Sequence, residues 1–282
     1  MMVSGKARVA GVMGWPVSHS RSPRLHGFWL RQYGIDGAYV PLPVRPEDFT
    51  AAVRALPKLG FAGANVTVPH KEAALAACDE VTPLARRIGA VNTLVCRPDG
   101  SLFGDNTDGF GFLENLRAGC PGWRADAGPA VVLGAGGAAR AIVAALLDAG
   151  CPRVRLTNRT RERAADLAAD LGGAIEVVAW EERSAALASA GLLVNTTTLG
   201  MTGAPPLDIA LDPLPAAALV TDIVYAPLMT DLLLRAQARG HAVVDGLGML
   251  LHQGRPGFEY WFGIRPEVTA ELRAVVLGDA PA

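Results

Sequence analysis

The chain has 282 residues, of which 50% are hydrophobic and 19% are charged; this composition supplies a sizeable core and excludes an intrinsically disordered protein. Lysine and arginine together number 26 and aspartate and glutamate 27, so the net charge is −1. This balance provides no overall electrostatic attraction to nucleic acid or to an anionic membrane surface, and we expect neither as a partner.

No apolar run approaches the roughly 18 residues that a membrane span requires. The N-terminal sequence lacks the apolar core of a signal peptide, so a cytoplasmic protein is expected. The four cysteines form no C-x-x-C pair and lie at no metal-site spacing from a histidine. We therefore predict four reduced thiols and no metal site. These residues are Cys78, Cys96, Cys120 and Cys151.

Short apolar runs alternate with amphipathic segments in the front half of the chain, which predicts parallel sheets covered by helices. The predicted strands are 8–14, 38–43, 64–68, 90–95 and 102–104, and the predicted helices are 23–33 and 46–56. Four polar segments follow or end these strands: SHSRSP (18–23), NVTVPHK (65–71), AVNT (90–93) and GDNTDGFG (104–111).

The polar segments suit a small ligand with several hydroxyl groups, because serine, asparagine and threonine form many neutral hydrogen bonds. Lys71 and Asp108 add one ammonium and one carboxylate, a pair that can work as general acid and base. Taken singly, Ser20 or Asn92 is more typical of a helix cap or a turn than of a binding site. The occurrence of four such polar segments, each following or ending a predicted strand, favours a polar small-molecule site.

A stretch rich in glycine and proline, 118–129, interrupts the rhythm and is predicted to be a linker. The alternation then resumes, and the tail from residue 246 shows helical patterning with aromatic residues. The predicted strands of the back half are 130–133, 154–157, 176–178, 192–195, 220–224 and 242–245, with helices at 138–149, 161–171 and 230–239.

The first strand and helix of the back half carry a dinucleotide-binding pattern. Gly134, Gly136 and Ala139 match G-x-G-x-x-G/A between a strand and a helix. The first glycine permits a tight turn, the second lets a pyrophosphate approach the backbone, and the small third residue allows close packing. The free N–H groups at the start of the helix then attract the phosphates.

The next strand favours NADP over NAD. An NAD site places a carboxylate there for the ribose 2′-hydroxyl, whereas this chain has Asn158, Arg159, Thr160 and Arg163. A guanidinium suits a 2′-phosphate. Solvated arginines at a helix start are the alternative. Residues at the ends of later strands are candidates for the nicotinamide region, or else ordinary turn residues: Thr197, Met201 and Tyr225.

Seven segments, in this order, resemble the shikimate dehydrogenase family, which includes shikimate and quinate dehydrogenases: GWPVSHSRSPRLHG, GANVTVPHK, GAVNT, GDNTDGFGF, GAGGAAR, NRT and DGLGMLLHQ. The resemblance covers nearly the whole chain. It implies an α/β protein of two domains. A substrate-binding domain would comprise residues 1–111, completed by C-terminal helices at 247–282. A doubly wound parallel-sheet (Rossmann) domain for NADP would comprise residues 112–246.

The resemblance also implies an activity, the reversible NADPH-dependent reduction of 3-dehydroshikimate to shikimate, with Lys71 and Asp108 as the catalytic pair. The implied substrate-binding residues are Ser20, Ser22, Asn65, Thr67, Lys71, Asn92, Asp108, Tyr225 and Gln253. The implied cofactor-binding residues are Gly134, Ala135, Gly136, Gly137, Ala138, Asn158, Arg159, Thr160, Arg163, Thr197, Met201, Gly246 and Met249.

Two other functions stay open at this point. A quinate or aminoshikimate dehydrogenase would use the same scaffold, and a non-catalytic NADP-binding regulatory module would keep the glycine turn. The partner expected in either enzymatic case is a small molecule, and both a monomer and a homodimer fit the sequence.

The chain departs from the family pattern at two places. Gly27 stands where the family commonly has asparagine. Gly254, Pro256 and Gly257 follow Gln253 where small helix-forming residues are usual. Because proline and glycine are the least favourable residues inside a helix, we expect a weakened or broken helix after Gln253.

Overall fold

Two six-stranded β-sheets organise the residues that the structure, a computed structural model, describes, namely 3–278. Each sheet belongs to its own unit. The first unit combines the chain up to Thr107 with the chain from Leu250 onward, and the second unit is Asp108–Met249. The predicted α/β class with two sheets is confirmed.

The first unit is built on a mixed sheet with the strand order β2-β1-β3-β5-β6-β4. Its front part comprises β1 (Arg8–Gly14), α1 (Ser22–Gln32), β2 (Gly37–Pro43), α2 (Phe49–Ala55), β3 (Phe61–Val66), α3 (Lys71–Ala77), β4 (Glu80–Val81), α4 (Pro83–Ile88), β5 (Thr93–Cys96) and β6 (Leu102–Asp105).

The expectation of parallel sheets is wrong for part of the first unit. Strand β5 runs antiparallel to both β3 and β6, whereas β2, β1 and β3 are parallel to one another. Only residues 97–101 join β5 to β6, which is too short for a parallel crossover. The backbone N–H of Arg97 donates to the carbonyl of Ser101 at 2.9 Å and closes this hairpin around Asp99 and Gly100.

The second unit has an all-parallel sheet with the strand order β12-β11-β10-β7-β8-β9, the order of a doubly wound fold. The order reverses between β7 and β10. The elements are α5 (Asp108–Gly119), β7 (Ala130–Leu133), α6 (Gly137–Asp148), β8 (Val154–Thr157), α7 (Arg161–Leu171), β9 (Ile175–Val178), β10 (Leu192–Asn195), β11 (Leu219–Asp222), α8 (Asp231–Ala238) and β12 (Val243–Val244).

Both faces of the second sheet are covered at β7, which explains why this strand is continuously apolar. All four residues of β7 are buried. Val132 belongs to one apolar cluster, and its neighbours Val131 and Leu133 belong to a second cluster. Because successive side chains of a strand point to opposite faces, the two clusters lie on opposite sides of the sheet.

The C-terminal part of the chain forms α9 (Leu247–Phe262) and α10 (Ala270–Leu277). The expected break after Gln253 is wrong, because α9 continues for 16 residues with Pro256 inside it. No helix within residues 3–278 is both long enough and apolar enough to cross a membrane.

Tertiary packing explains why α9 tolerates Gly254 and Pro256. A Cβ atom at Gly254 would lie 2.8 Å from Leu25 Cδ2, so the close packing of α9 on α1 uses the missing side chain. Phe258 and Trp261 are fully buried. Their burial contributes about 2–3 kcal/mol each, which offsets the roughly 3 kcal/mol cost of a helical proline.

A buried histidine lies at the centre of this aromatic cluster. The imidazole of His26 stacks on the ring of Tyr39 with a centroid distance of 4.0 Å and an interplanar angle of 11°. The ring centroids of Trp29, Phe258 and Trp261 lie 5.5–5.9 Å from that of His26. The centroids of Trp29 and Phe258 lie 5.3 Å apart. Burial lowers the pKa of His26 from 6.5 to about 3, and the nearby Asn65 side chain offsets part of this effect. The imidazole is therefore neutral near neutral pH.

The neutral state of His26 predicts a loss of stability in mild acid. In the unfolded chain the histidine gains a proton below pH 6.5, whereas the folded chain takes one up only near pH 3. Stability should therefore fall by up to about 1.4 kcal/mol for each pH unit between these values. Urea unfolding of the wild type and His26→Phe between pH 7.5 and 4.5 measures this slope, which should be flatter in the variant.

The exposed His19 provides the control, because His19→Gln should leave the slope as it is in the wild type. Equal slopes for the wild type and His26→Phe would contradict the assignment.

Candidate active site

The strand register of the first unit brings three of the polar segments to one edge of its sheet. Asn65 near the end of β3 pairs with Thr93 at the start of β5, because these strands are antiparallel. Thr93 in turn pairs with Asp105 at the end of β6. The residues that follow β3 and β6 and precede β5 therefore meet at the same edge.

The buried side chain of Asn92 joins two of these segments to α9. Its Oδ1 accepts hydrogen bonds from the backbone N–H of Thr107 at 2.9 Å and from the hydroxyl of Thr93 at 3.0 Å. Its Nδ2 donates to Oε1 of Gln253 at 3.4 Å. The hydroxyl of Thr107 donates to the backbone carbonyl of Gln253 at 2.9 Å. Gln253 thus lies beside Asn92.

The side-chain amide of Asn65 is fixed on both sides. Its Nδ2 donates to the backbone carbonyl of Asn92 at 3.2 Å and to the hydroxyl of Thr93 at 3.3 Å. Its Oδ1 accepts from the hydroxyl of Tyr39 at 2.7 Å. Asn65 is 5% exposed, so these bonds are shielded from water. An amide in this position presents a fixed face to any ligand at the edge.

Lys71 lies at the same edge as the first residue of α3. Its carbonyl accepts from the backbone N–H of Val91 at 2.9 Å, which joins the start of α3 to the chain before β5. Just before α3, the backbone N–H of Thr67 donates to the backbone carbonyl of Met13 at 2.9 Å, which continues the pairing of β1 and β3. The ammonium-bearing side chain therefore starts from a well-anchored backbone.

The two serines of the first motif precede the body of α1. The hydroxyl of Ser20 accepts from the backbone N–H of Ser22 at 3.3 Å, and Ser22 is 5% exposed. At Gly27 a Cβ atom would meet only Arg31 Nη1, at 3.8 Å, so this departure from the family pattern leaves the packing of α1 unchanged.

Asp108 is the first residue of the second unit and of α5. The start of a helix favours a negatively charged side chain. The next residue, Gly109, packs against α6, where a Cβ atom would lie 2.8 Å from the carbonyl oxygen of Ala141. Farther along α5, Nδ2 of Asn115 donates to the carbonyl of Asp245 at 2.6 Å. These contacts fix the position of Asp108 within its unit.

The glycine turn between β7 and α6 has the geometry that a dinucleotide requires. Gly134 has φ +106°, and a Cβ atom there would lie 2.6 Å from the hydroxyl of Thr196. Gly136 is exposed, and no atom lies within 4 Å of its Cβ position. No side chain caps the first turn of α6. The open helix start therefore fits a pyrophosphate group.

Two arginines, Arg159 and Arg163, follow the end of β8 and expose their guanidinium groups. Neither guanidinium has an ion-pair or hydrogen-bond partner within residues 3–278. Other arginines of this unit do have partners, for example Arg140 with Asp170 at 2.6 Å. Nδ2 of Asn158 donates to the carbonyl of Thr160 at 2.8 Å and shapes the turn. These residues fit a 2′-phosphate.

A buried carboxylate supports the ends of β10 and β11. Asp222 accepts from Nδ2 of Asn195 at 3.1 Å, from the hydroxyl of Thr230 at 2.8 Å and from the backbone N–H of Val224 at 3.0 Å. Burial raises the pKa of Asp222. Oδ1 of Asn195 in turn accepts from the backbone N–H of Thr197 at 3.0 Å and from its hydroxyl at 2.7 Å.

The remaining predicted cofactor residues differ in their surroundings. Met201 is 41% exposed, whereas Met249 is buried in the core of the second unit. A Cβ atom at Gly246 would lie 2.4 Å from the carbonyl oxygen of Ile223, so only glycine fits there. Tyr225 is half-buried.

Sequence reasoning missed four polar residues of these networks. Thr107 lies inside the segment GDNTDGFG and Asn195 ends a predicted strand, so both carried a signal. Asp222 lies inside the predicted strand 220–224, where a buried carboxylate is unexpected. Tyr39 lies within β2, and nothing in the surrounding sequence sets its hydroxyl apart.

Family models match three parts of the chain. Residues 12–94 match the shikimate dehydrogenase substrate binding domain. Residues 124–200 match shikimate / quinate 5-dehydrogenase. Residues 246–277 match the shikimate 5′-dehydrogenase C-terminal domain.

Individual relatives match along nearly the whole chain. A shikimate dehydrogenase (NADP(+)) from Paramagnetospirillum magneticum is 68% identical over 275 residues, which cover 98% of this chain and 100% of the relative. The crystal structure of shikimate 5-dehydrogenase from Thermus thermophilus in complex with NADP(H) and shikimate is 39% identical, with a TM-score of 0.86 and coverage of 97% and 100%. Quinate dehydrogenase from Corynebacterium glutamicum in complex with NAD is 30% identical, with a TM-score of 0.90 and coverage of 96% and 99%. This chain belongs to the shikimate dehydrogenase family.

Two alanine substitutions should separate the fold of the glycine turn from its proposed ligand contact. Gly134→Ala should lower the free energy of unfolding by roughly 1–2 kcal/mol or more, because a positive φ is strained for alanine and Thr196 blocks its Cβ. Gly136→Ala should leave the melting temperature without ligand unchanged and weaken NADP⁺ binding. Thermal unfolding and calorimetric titration with NADP⁺ measure the two effects.

If Gly136→Ala bound NADP⁺ as tightly as the wild type, the assignment of this helix start to the pyrophosphate would be wrong.

Proposed function

We propose that this member of the shikimate dehydrogenase family catalyses the reversible, NADPH-dependent reduction of 3-dehydroshikimate to shikimate. The observation that carries the proposal is the convergence of Asn65, Asn92 and Gln253 at the sheet edge where α3 begins with Lys71. Neutral amides suit the ring hydroxyls of such a substrate, and an ammonium suits the oxygen that changes its charge. The NADP-dependent activity named for the relatives supports the same reaction.

The substrate carries one carboxylate as well as its hydroxyls, and the two need different partners. We assign the carboxylate to the hydroxyls of Ser20 and Ser22, because donors are required there. We assign the ring hydroxyls to amide, hydroxyl and carboxylate side chains, with Tyr225 as a further substrate-binding residue. The residues assigned to the ring hydroxyls are Asn65, Thr67, Asn92, Asp108 and Gln253.

Lys71 is proposed to hold and transfer the proton of the reaction. In reduction, its ammonium group donates a proton to the carbonyl oxygen of the substrate as that oxygen becomes a hydroxyl. In the reverse direction, its neutral amine accepts the proton from the hydroxyl. Asp108 is proposed as the second member of the catalytic pair, and its carboxylate accepts a hydrogen bond from the same hydroxyl. The positive charge of Lys71 also stabilises the developing negative oxygen.

The second unit is proposed to hold NADP(H), which when bound supplies the hydride to the carbonyl carbon. The open start of α6 binds the pyrophosphate, and the arginines after β8 bind the 2′-phosphate. The proposed pyrophosphate residues are Gly134, Ala135, Gly136, Gly137 and Ala138. The proposed 2′-phosphate residues are Asn158, Arg159, Thr160 and Arg163. Thr197, Met201, Gly246 and Met249 are proposed to border the nicotinamide.

The proposed reaction can be tested with purified protein by following NADPH absorbance. Shikimate with NADP⁺ should give fast turnover, whereas quinate and NAD⁺ should give much lower kcat/KM. The fold likeness to a quinate dehydrogenase makes quinate the informative comparison. A higher kcat/KM for quinate would overturn the substrate assignment, and NADP⁺ binding without turnover on any of these acids would indicate a binding module.

Lys71→Ala should lower kcat by roughly 10²–10⁴-fold, because a general acid–base group typically contributes this much. The KM for shikimate should change far less, since the proposed hydroxyl partners remain. Lys58→Ala is the matched control, because Lys58 belongs to the same unit and lies in the turn Pro57–Leu59. A Lys71→Ala enzyme with near-normal kcat would exclude Lys71 from the proton transfer.

A further inference from the structure

The hydroxyl group of Tyr39 contacts a residue that the proposed function assigns to the substrate. It donates to Oδ1 of Asn65 at 2.7 Å. Asn65 is assigned to a ring hydroxyl. We propose that Tyr39 is a positioning residue for the substrate, which acts through Asn65. This inference rests on the proposed function.

The direction of the hydrogen bond between Tyr39 and Asn65 follows from the neighbours of the amide. The backbone carbonyl of Asn92 can only accept a hydrogen bond, so the group of Asn65 that faces it at 3.2 Å must be the NH₂ group. The carbonyl oxygen of the amide therefore faces Tyr39, and the tyrosine hydroxyl must be the donor. The tyrosine proton is therefore committed to Asn65.

This arrangement sets how Asn65 can recognise a substrate hydroxyl. Both hydrogens of its Nδ2 have acceptors, namely the carbonyl of Asn92 and the hydroxyl of Thr93. Oδ1 is therefore the atom that accepts a hydrogen bond from the substrate hydroxyl. The same atom accepts from Tyr39, whose hydroxyl helps to hold it in place. Without the tyrosine hydroxyl, Oδ1 loses a buried donor, and the amide is held only by the two bonds of Nδ2.

The ring of Tyr39 is held independently of its hydroxyl. It is 8% exposed, stacks on the neutral imidazole of His26 at 4.0 Å, and lies 5.9 Å from the ring of Trp261. Tyr39→Phe therefore removes the hydroxyl and keeps the ring packing. Tyr33→Phe is a matched control, because it also removes one hydroxyl from the first unit, where it accepts from the backbone N–H of Glu267 at 3.2 Å.

The test is a double-mutant cycle on the kinetics of shikimate oxidation. Tyr39→Phe should lower kcat/KM for shikimate by about 5–30-fold, the effect of one buried hydrogen bond, and should leave the KM for NADP⁺ within twofold. In an Asn65→Ala background, Tyr39→Phe should change kcat/KM by less than twofold more, since the residue it acts through is gone. Tyr33→Phe should behave as the wild type.

A second cycle with Asn65→Ser replaces the first if Asn65→Ala does not fold, as judged by circular dichroism. Additive effects in the cycle, an equal rise in the KM for NADP⁺, or a Tyr39→Phe enzyme with normal kcat/KM would each overturn the inference while the proposed function stands. A wild-type protein without shikimate turnover would overturn the proposed function and this inference together.

Discussion

The hydrogen bonds of Asn92 are the constraint on which the first unit depends. Its Oδ1, its Nδ2 and its backbone carbonyl connect Thr107, Gln253 and Asn65, which are far apart in sequence. Because an unsatisfied buried amide costs about 1–3 kcal/mol, the loss of any one of these partners destabilises this edge of the sheet. Asn92 lies at this edge because β5, which it precedes, runs antiparallel to β3 and β6. The proposed substrate site therefore depends on the antiparallel part of the sheet.

The proposed ligand of the second unit requires free backbone N–H groups more than side chains. The parallel sheet brings the ends of β7 and β10 together, and Gly134 lets the backbone turn sharply beside Thr196. Asp222 is satisfied by neutral donors, which fix Asn195 and, through it, Thr197. This frame holds the residues beside the start of α6 in place, and the first turn of that helix stays open to a ligand.

The sequence predicted the second unit more accurately than the first. The predicted bounds of β7, β8 and β10 are confirmed, because strands buried on both faces read as short apolar runs between glycine and polar residues. The antiparallel direction of β5 was missed although the Asp99–Gly100 turn signalled a hairpin. The continuous α9 was missed because the packing of Gly254 on α1, which no local pattern shows, decides it. Tyr39 was missed for the same reason: its partner, Asn65, lies on a different strand.

The discontinuity of the first unit has a consequence for the order in which the protein matures during synthesis. The chain enters the second unit at Asp108 and returns to the first only at Leu250. Gln253, Phe258 and Trp261, which complete the polar edge and the aromatic cluster, therefore leave the ribosome after the whole second unit. Domains fold as units once their residues have emerged. The second unit can thus mature first, and the first unit is completed only after the residues that follow Met249 have emerged.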